Sequence, residues 1–141
     1  MITKKIFLLI TISIATIQFV KAQKKTFELT VNITNLSSNK GTILLGIYNN
    51  KASFLKKTFN GYTLKIKNNR AKMIVENLPE GEYAISFVHD ENNNKKLDTN
   101  FLGIPSEDYG CSNNAKGFMG PPKYDDAKFI VSEDKSIWIA N

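Results

Sequence analysis

From Phe27 onward, apolar and polar side chains alternate with a period of two, the spacing of strands that bury one face. Phe27, Leu29, Val31 and Ile33 interleave with Glu28, Thr30 and Asn32, predicting a first strand, and Ser37-Ser38-Asn39-Lys40-Gly41 turns the chain. Ile43, Leu45 and Ile47 predict a second strand, with Leu44 and Tyr48 on its other side, so this strand is expected to be covered on both faces. Residues 49–59 lose the alternation; Ala52, Phe54 and Leu55 predict one short helical turn that plugs an end of the core. Tyr62, Leu64 and Ile66, then Ala71, Met73 and Val75, predict a hairpin around the Asn68-Asn69 turn. A second turn, Asn77-Leu78-Pro79-Glu80-Gly81, leads into a fifth strand carrying Tyr83, Ile85, Phe87 and His89. Residues 128–132 and 136–140, with Phe129, Val131, Ile137 and Ile139, predict a last pair around Glu133-Asp134-Lys135. About seven short strands without a helical period indicate an all-β fold, an antiparallel β-sandwich of the immunoglobulin-like or transthyretin-like kind.

The start of the chain follows a different pattern. Lys4 and Lys5 precede an apolar run over residues 6–17, and Val20-Lys21-Ala22 has the form of a peptidase site, so residues 1–22 read as a signal peptide and 23–141 as a single domain. The run is shorter than the ~20 apolar residues that span a bilayer, so no transmembrane helix is expected after cleavage. The expected location is therefore outside the cytoplasm, in a periplasm or beyond the cell. Losing Lys4, Lys5 and Lys21 takes the formal charge from +6 to +3, and no dense basic stripe with interleaved aromatics is left to suggest nucleic acid as a partner.

One segment does not read as scaffold. Residues 90–127 form a connection rich in Asn, Asp, Gly and Pro, longer than a compact sandwich needs. Phe101, Leu102, Ile104, Tyr109, Phe118, Met119 and Tyr124 are spread through it, which predicts a packed excursion. It opens with alternating oxygen-bearing residues, Asp90, Asn92 and Asn94, followed by Asp98; with the Lys96 carbonyl these fall at the first, third, fifth, ninth and seventh places of a Ca²⁺ loop. Lys95 stands where that loop prefers Gly, and Phe101 where a bidentate Glu should close it, so any Ca²⁺ bound here is expected to be held weakly, at roughly 10⁻⁴ to 10⁻³ M. The rival reading is a metal-free, Asx-rich turn, and the sequence leaves both open.

Catalytic residue types are scarce. One His and one Cys exclude a clustered zinc site and leave His89 with Cys111 as the only thiol-imidazole pair, while Asp108 with Asp125 or Asp126 could form a carboxylate pair only at a separation that spacing does not fix. The expectation is a protein without catalytic residues.

The motifs His89-Asp90-x-Asn92-x-Asn94, Lys96-Leu97-Asp98-Thr99-Asn100, Gly103-Ile104-Pro105, Tyr109-Gly110, Ser112-Asn113-Asn114-Ala115, Gly120-Pro121-Pro122 and Asp126-Ala127-Lys128-Phe129 together resemble an exported bacterial family, domain of unknown function 2141. The resemblance extends to Gly41, Phe54-Leu55 and Asn77-Leu78-Pro79-x-Gly81-x-Tyr83. Cys111 departs from it, since many members carry Phe after the Tyr-Gly pair. The Leu-Pro-x-Gly-x-Tyr element is also similar to the strand-leading turn of transthyretin-like and carboxypeptidase-regulatory-like sandwiches. These resemblances imply an exported β-sandwich and no particular reaction. Two function classes follow. One is a recognition module of the cell envelope for a protein, peptide or glycan, with Tyr109, Phe118 and Tyr124 as contact residues; the other is a structural domain whose loop covers a sheet edge. Exposed loop aromatics favour the first class and buried ones the second.

Overall fold

The computed structural model describes residues 24–141, so the leader expected at 1–22 lies outside the described residues. Among these described residues eight strands form two sheets. Sheet A contains β4 (Ala71–Pro79), β1 (Thr26–Thr34) and β8 (Lys135–Ala140) in that order; the main path of sheet B runs β3 (Asn60–Leu64), β2 (Thr42–Tyr48), β5 (Gly81–Asp90) and β6 (Tyr109–Cys111). Strand β7 (Phe129–Val131) also pairs with β5, and one short helix, α1 (Tyr124–Ala127), precedes it. No helix among the described residues is long and apolar enough to cross a membrane.

The alternation seen in sequence fixes the inner faces. Val31 lies between Met73 and Ile137, and Ile33 between Ala71 and Ile139, so β1 supplies the middle of sheet A's buried side. Across from it, Leu45 pairs with Phe87 and Ile47 with Ile85, and the two apolar sides merge into one core that includes Leu29, Ile43 and Val131. The fully buried aliphatic side chains at its centre each contribute about 1.5–3 kcal/mol through removal from water.

Three expectations are corrected. The Asn68-Asn69 turn is present, with both residues at positive φ (54° and 56°) and Lys67 bridged to Arg70, but the strands it joins lie in different sheets: β3 pairs with β2 and β4 with β1. The last two strands also separate, β7 to sheet B and β8 to sheet A, where β8 runs parallel to β1 in an otherwise antiparallel fold. A strand with a buried face can complete either sheet, so alternation predicts the strand and leaves its partner open. Residues 51–57 form turns, with Phe54 buried and Leu55 exposed.

The outer side of sheet B carries a second, smaller core. Tyr48, Ala84 and Cys111 point there and are covered by Phe54, Tyr124 and Ala127, with Phe54 edge-on to Tyr48 and Tyr124 at centroid distances of 5.2 and 5.6 Å. Strand β2 is thus covered on both faces, as its sequence suggests.

Candidate functional site: a loop-framed groove on sheet B

The long connection leaves β5 at Asp90, and its first turn is built by that residue. Asp90 is buried, and its carboxylate accepts the N–H groups of Asn94 (3.0 Å) and Lys95 (2.8 Å), as a buried acid must be satisfied. Gly41, at φ +68°, passes so close that a Cβ would stand 1.9 Å from the Asp90 carbonyl oxygen, so only glycine fits there. Asn93 and Lys95 both take positive φ, 60° and 65°.

Three of the remaining sequence-predicted ligands, Asn92, Asn94 and Asp98, come together beside this root, while Lys96 joins them through its N–H and not through the carbonyl expected to serve as a ligand. Asn92 and Asn94 turn their amide groups onto Asp98, at 2.9 Å from Asn94 to each carboxylate oxygen, and the Lys96 N–H donates to Asn94 Oδ1 at 3.0 Å. The hydrogen bonds from Asn94 and Asn92 hold the half-buried Asp98 carboxyl below its ordinary range. Glu107, which the sequence reading missed, folds back here: its two carboxylate oxygens accept the N–H groups of Glu91 and Asp98, both at 3.0 Å. Among the described residues no group of three or more His, Cys, Asp or Glu side chains is placed to hold a metal ion. The donor set is therefore the mixed amide-carboxylate cluster around Asp98.

Beyond this cluster the chain makes a closed arm. Asn100 organises it: its side chain accepts the N–H groups of Leu102 (2.9 Å) and Ile104 (3.1 Å), its own N–H donates to the Ile104 carbonyl (2.8 Å), and Thr99 bridges Pro105. A second arm, residues 117–122, carries Phe118 and Met119, which are 92% and 94% exposed. Between the arms and the outer face of β5 and β6 lies a groove of about 860 Å³, lined by Val88, Leu97, Leu102, Ile104, Tyr109 and Met119 among others. Its size is that of a small-ligand or peptide-side-chain site. Gly110 lies beneath the groove and faces the core, where a Cβ would stand 2.6 Å from the Phe87 ring and 3.2 Å from Ile139, so glycine here lets β6 seat closely on the core.

The three aromatics expected to contact a ligand divide. Tyr109 is 42% exposed and lines the groove, and Phe118 is exposed on the second arm. Tyr124 is instead buried in the second core, where burial and the nearby Glu82 push its hydroxyl up to about 12; its contribution is packing. The aliphatics Leu102, Ile104 and Met119, not singled out as contacts in the sequence, are the exposed residues that frame the groove.

The Ser112-Asn113-Asn114 motif has a structural task. Strands β6 and β7 meet different stretches of β5, and Ser112 lies between them: its hydroxyl accepts the Ile85 N–H at 2.9 Å and donates to the Ala127 carbonyl. Asn113 donates to the Asp126 and Lys128 carbonyls, and Asn114 Oδ1 accepts the Ala140 N–H, tying the excursion to sheet A. His89 and Cys111 do not form a pair. Cys111 is in register with Ser86, three residues from His89, so the two side chains point to opposite faces of sheet B. Burial also pushes the thiol up to about 11, keeping it protonated at neutral pH. His89 is fully buried, with Nε2 donating to the Lys40 carbonyl (2.8 Å) and Nδ1 3.4 Å from Asp108. Burial would raise the Asp108 carboxyl, but hydrogen bonds from Ser37 and His89 take it below its ordinary value.

No curated protein matches the chain. Residues 31–138, from the middle of β1 into β8 and including the whole loop-framed groove, match the family described as an uncharacterized protein conserved in bacteria (DUF2141), and the chain belongs to that family.

Proposed function

We propose that this protein is an exported, noncatalytic binding module of the cell envelope, and that the groove on the outer side of sheet B receives an apolar segment of a peptide or protein. The observation that carries the reading is the concentration of exposed apolar side chains, Leu102, Ile104, Phe118 and Met119, on two arms around one groove. Exposed apolar groups gathered in a patch mark interaction surfaces more often than the same groups scattered singly. The separation of His89 from Cys111 and the protonated thiol support the noncatalytic part.

Ca²⁺ has a supporting place in this proposal. Asn92, Asn94 and Asp98 already face one another, and a hard cation that attracts oxygen would turn the two amides by half a turn toward it, at the cost of the hydrogen bonds their oxygens accept from the Asn94 and Lys96 N–H groups. When bound, the ion would stiffen the root of the first arm. The protein's own part is to hold that root through Asp90 and Glu107. The rival reading, a structural domain without a ligand, draws on Tyr124 and Ser112, which spend part of the excursion on covering the β5 edge and sheet B.

Selection of a displayed random-peptide library on the protein, with counter-selection on Ile104→Ser/Met119→Ser, separates the two. The proposal expects enriched peptides with spaced apolar residues that lose binding to the double variant. A library that yields no enrichment, or peptides that bind both proteins equally, would favour the structural domain.

A further inference from the structure

The outer face of sheet A offers a second surface with different chemistry. Its outward positions follow from register: Asn32 pairs with Lys72 on one side and with Trp138 on the other, so the three side chains stand in one row on the same face. Trp138, the only Trp in the chain, is 62% exposed, although a side chain of its size is usually covered. It forms one wall of a shallow pocket of about 300 Å³ whose other walls include Asn32, Lys65, Lys67, Arg70 and Lys72. Among the described residues no acidic side chain lines this pocket. Among the described residues, none of the four cations has a carboxylate within ion-pair distance, whereas Lys51 and Lys128 do.

The cations are also positioned. Lys67 and Arg70 flank the Asn68-Asn69 turn, whose backbone and side chain are tied down by hydrogen bonds from Asn69 N–H to Asn39 Oδ1 and from Asn69 Nδ2 to the Leu36 carbonyl, both 2.8 Å. A charged rim held on an anchored turn loses little freedom on binding.

We propose that this face of sheet A docks an acidic polysaccharide, with a sugar ring lying on Trp138 and the carboxylate or sulfate groups of the chain meeting Lys65, Lys67, Arg70 and Lys72. A pyranose ring offers a C–H face to an aromatic and hydroxyls to its edge, and Asn32 and Thr34 supply polar partners beside the ring. A membrane surface fits less well: Trp138 is the wall of a concavity and shares its row with an amide and a lysine, and Ile74, a further large exposed apolar side chain on this face, lies in the next row. The acidic residues Glu28 and Glu76 lie at the opposite end of the face, which limits the footprint to the end bearing Trp138. This site is separate from the groove on sheet B and does not depend on it.

Because Trp138 is the sole Trp, its emission reports on this face alone. Titration with polygalacturonate is expected to change that emission saturably, while neutral dextran leaves it unchanged. Raising salt from 0.01 to 0.5 M should weaken the binding at least about tenfold, because the attraction is screened within a few ångströms at the higher value. Arg70→Gln/Lys72→Gln should weaken it by about tenfold or more. In a native gel containing polygalacturonate, Trp138→Ala should lose most of the retardation shown by the unaltered protein, with circular dichroism confirming that its fold is intact. The proposal is overturned if polygalacturonate leaves the emission unchanged, or if either variant binds like the unaltered protein. It is equally overturned if phosphatidylglycerol vesicles or a single-stranded oligonucleotide binds tighter at equal charge.

Discussion

On sheet A the outward positions of three strands run straight into solvent, leaving Thr30, Asn32, Lys72 and Trp138 on an open surface, whereas the same parity on sheet B carries Tyr48, Ala84 and Cys111 under a second layer of side chains. The difference comes mainly from one segment. Residues 90–127 leave the end of β5, cover one part of sheet B's outer face with the buried Tyr124 and Ala127, joined there by Phe54 from the 51–57 turns, and hold the other part open as a groove. Alternation thus says which side of a strand faces out, and it takes an irregular excursion to decide what that outside becomes. The sandwich can present an apolar concavity on one sheet and a cationic, aromatic one on the other without disturbing the core they share.

The comparison breaks most severely at the root of the excursion. Gly41→Ala forces both a left-handed backbone and a Cβ into the Asp90 carbonyl, and the expected loss is at least about 3 kcal/mol in chemical denaturation. A loss under about 1 kcal/mol would mean that the loop root is not rigidly seated on sheet B. Ser112→Ala comes next. It leaves the buried Ile85 N–H and Ala127 carbonyl without their partner, a cost of about 1–3 kcal/mol that falls on sheet B and spares the exposed face of sheet A.

Ca²⁺ provides a third, comparable effect. With 10 mM Ca²⁺ and a dissociation constant in the weak range of 10⁻⁴ to 10⁻³ M, stabilisation of about 1.4–2.7 kcal/mol is expected relative to EDTA. Asp98→Ala should abolish that increment. Because Asp98 is only half-buried, whereas Asp90 is buried and keeps its own N–H partners, the variant should remain folded, which makes it a cleaner probe than Asp90→Ala. A thermal midpoint that does not respond to Ca²⁺ would leave the cluster as an Asx-rich turn.

Acid should divide the two faces more gently. Hydrogen bonds from the Asn94 and Asn92 amides lower Asp98, and the Ser38 hydroxyl leads the lowering of Glu91. Both folded-state values lie below the ordinary 3.8 and 4.5, so the stability they lend is complete above those values and is lost as pH falls through the lower folded ones. The side-chain amide resonances of Asn92 and Asn94, which donate to Asp98, are therefore expected to move below about pH 4 while the backbone N–H groups of Val31 and Ile85 stay protected from exchange. A simultaneous change at both sets would contradict a separately titrating loop. The smallest effect on stability is expected from Trp138→Ala and Phe118→Ala, each within about 0.5 kcal/mol of the unaltered protein, since both side chains face solvent.

The strands were legible because burying one face of a sheet imposes a period of two, and Leu29, Val31 and Ile33 or Ile85 and Phe87 display it directly. Pairing was not. Asn68-Asn69 reads as a hairpin turn whether its strands pair with each other or diverge to two sheets, and nothing local to β8 states that it lies parallel to β1. At the groove, Tyr109 and Phe118 were legible as large side chains in a polar loop, but their neighbour Tyr124 has the same signal and is buried, because exposure there depends on the contact with Phe54 from a distant segment. Glu107 was hidden for a similar reason: it caps N–H groups nine and sixteen residues earlier. Trp138 was missed although a signal was present: it stands between the inward-facing Ile137 and Ile139, and so large a side chain at an outward position was the available clue.

The groove of sheet B carries the proposed binding function, and amide chemical-shift mapping tests it most directly. With the library-selected apolar peptide, shifts should concentrate in residues 97–105, 109–111 and 117–122 and disappear in Ile104→Ser/Met119→Ser, with sheet A's outer face unmoved. Shifts that scatter over both sheets, or that persist in the double variant, would contradict the assignment of this groove as the binding surface.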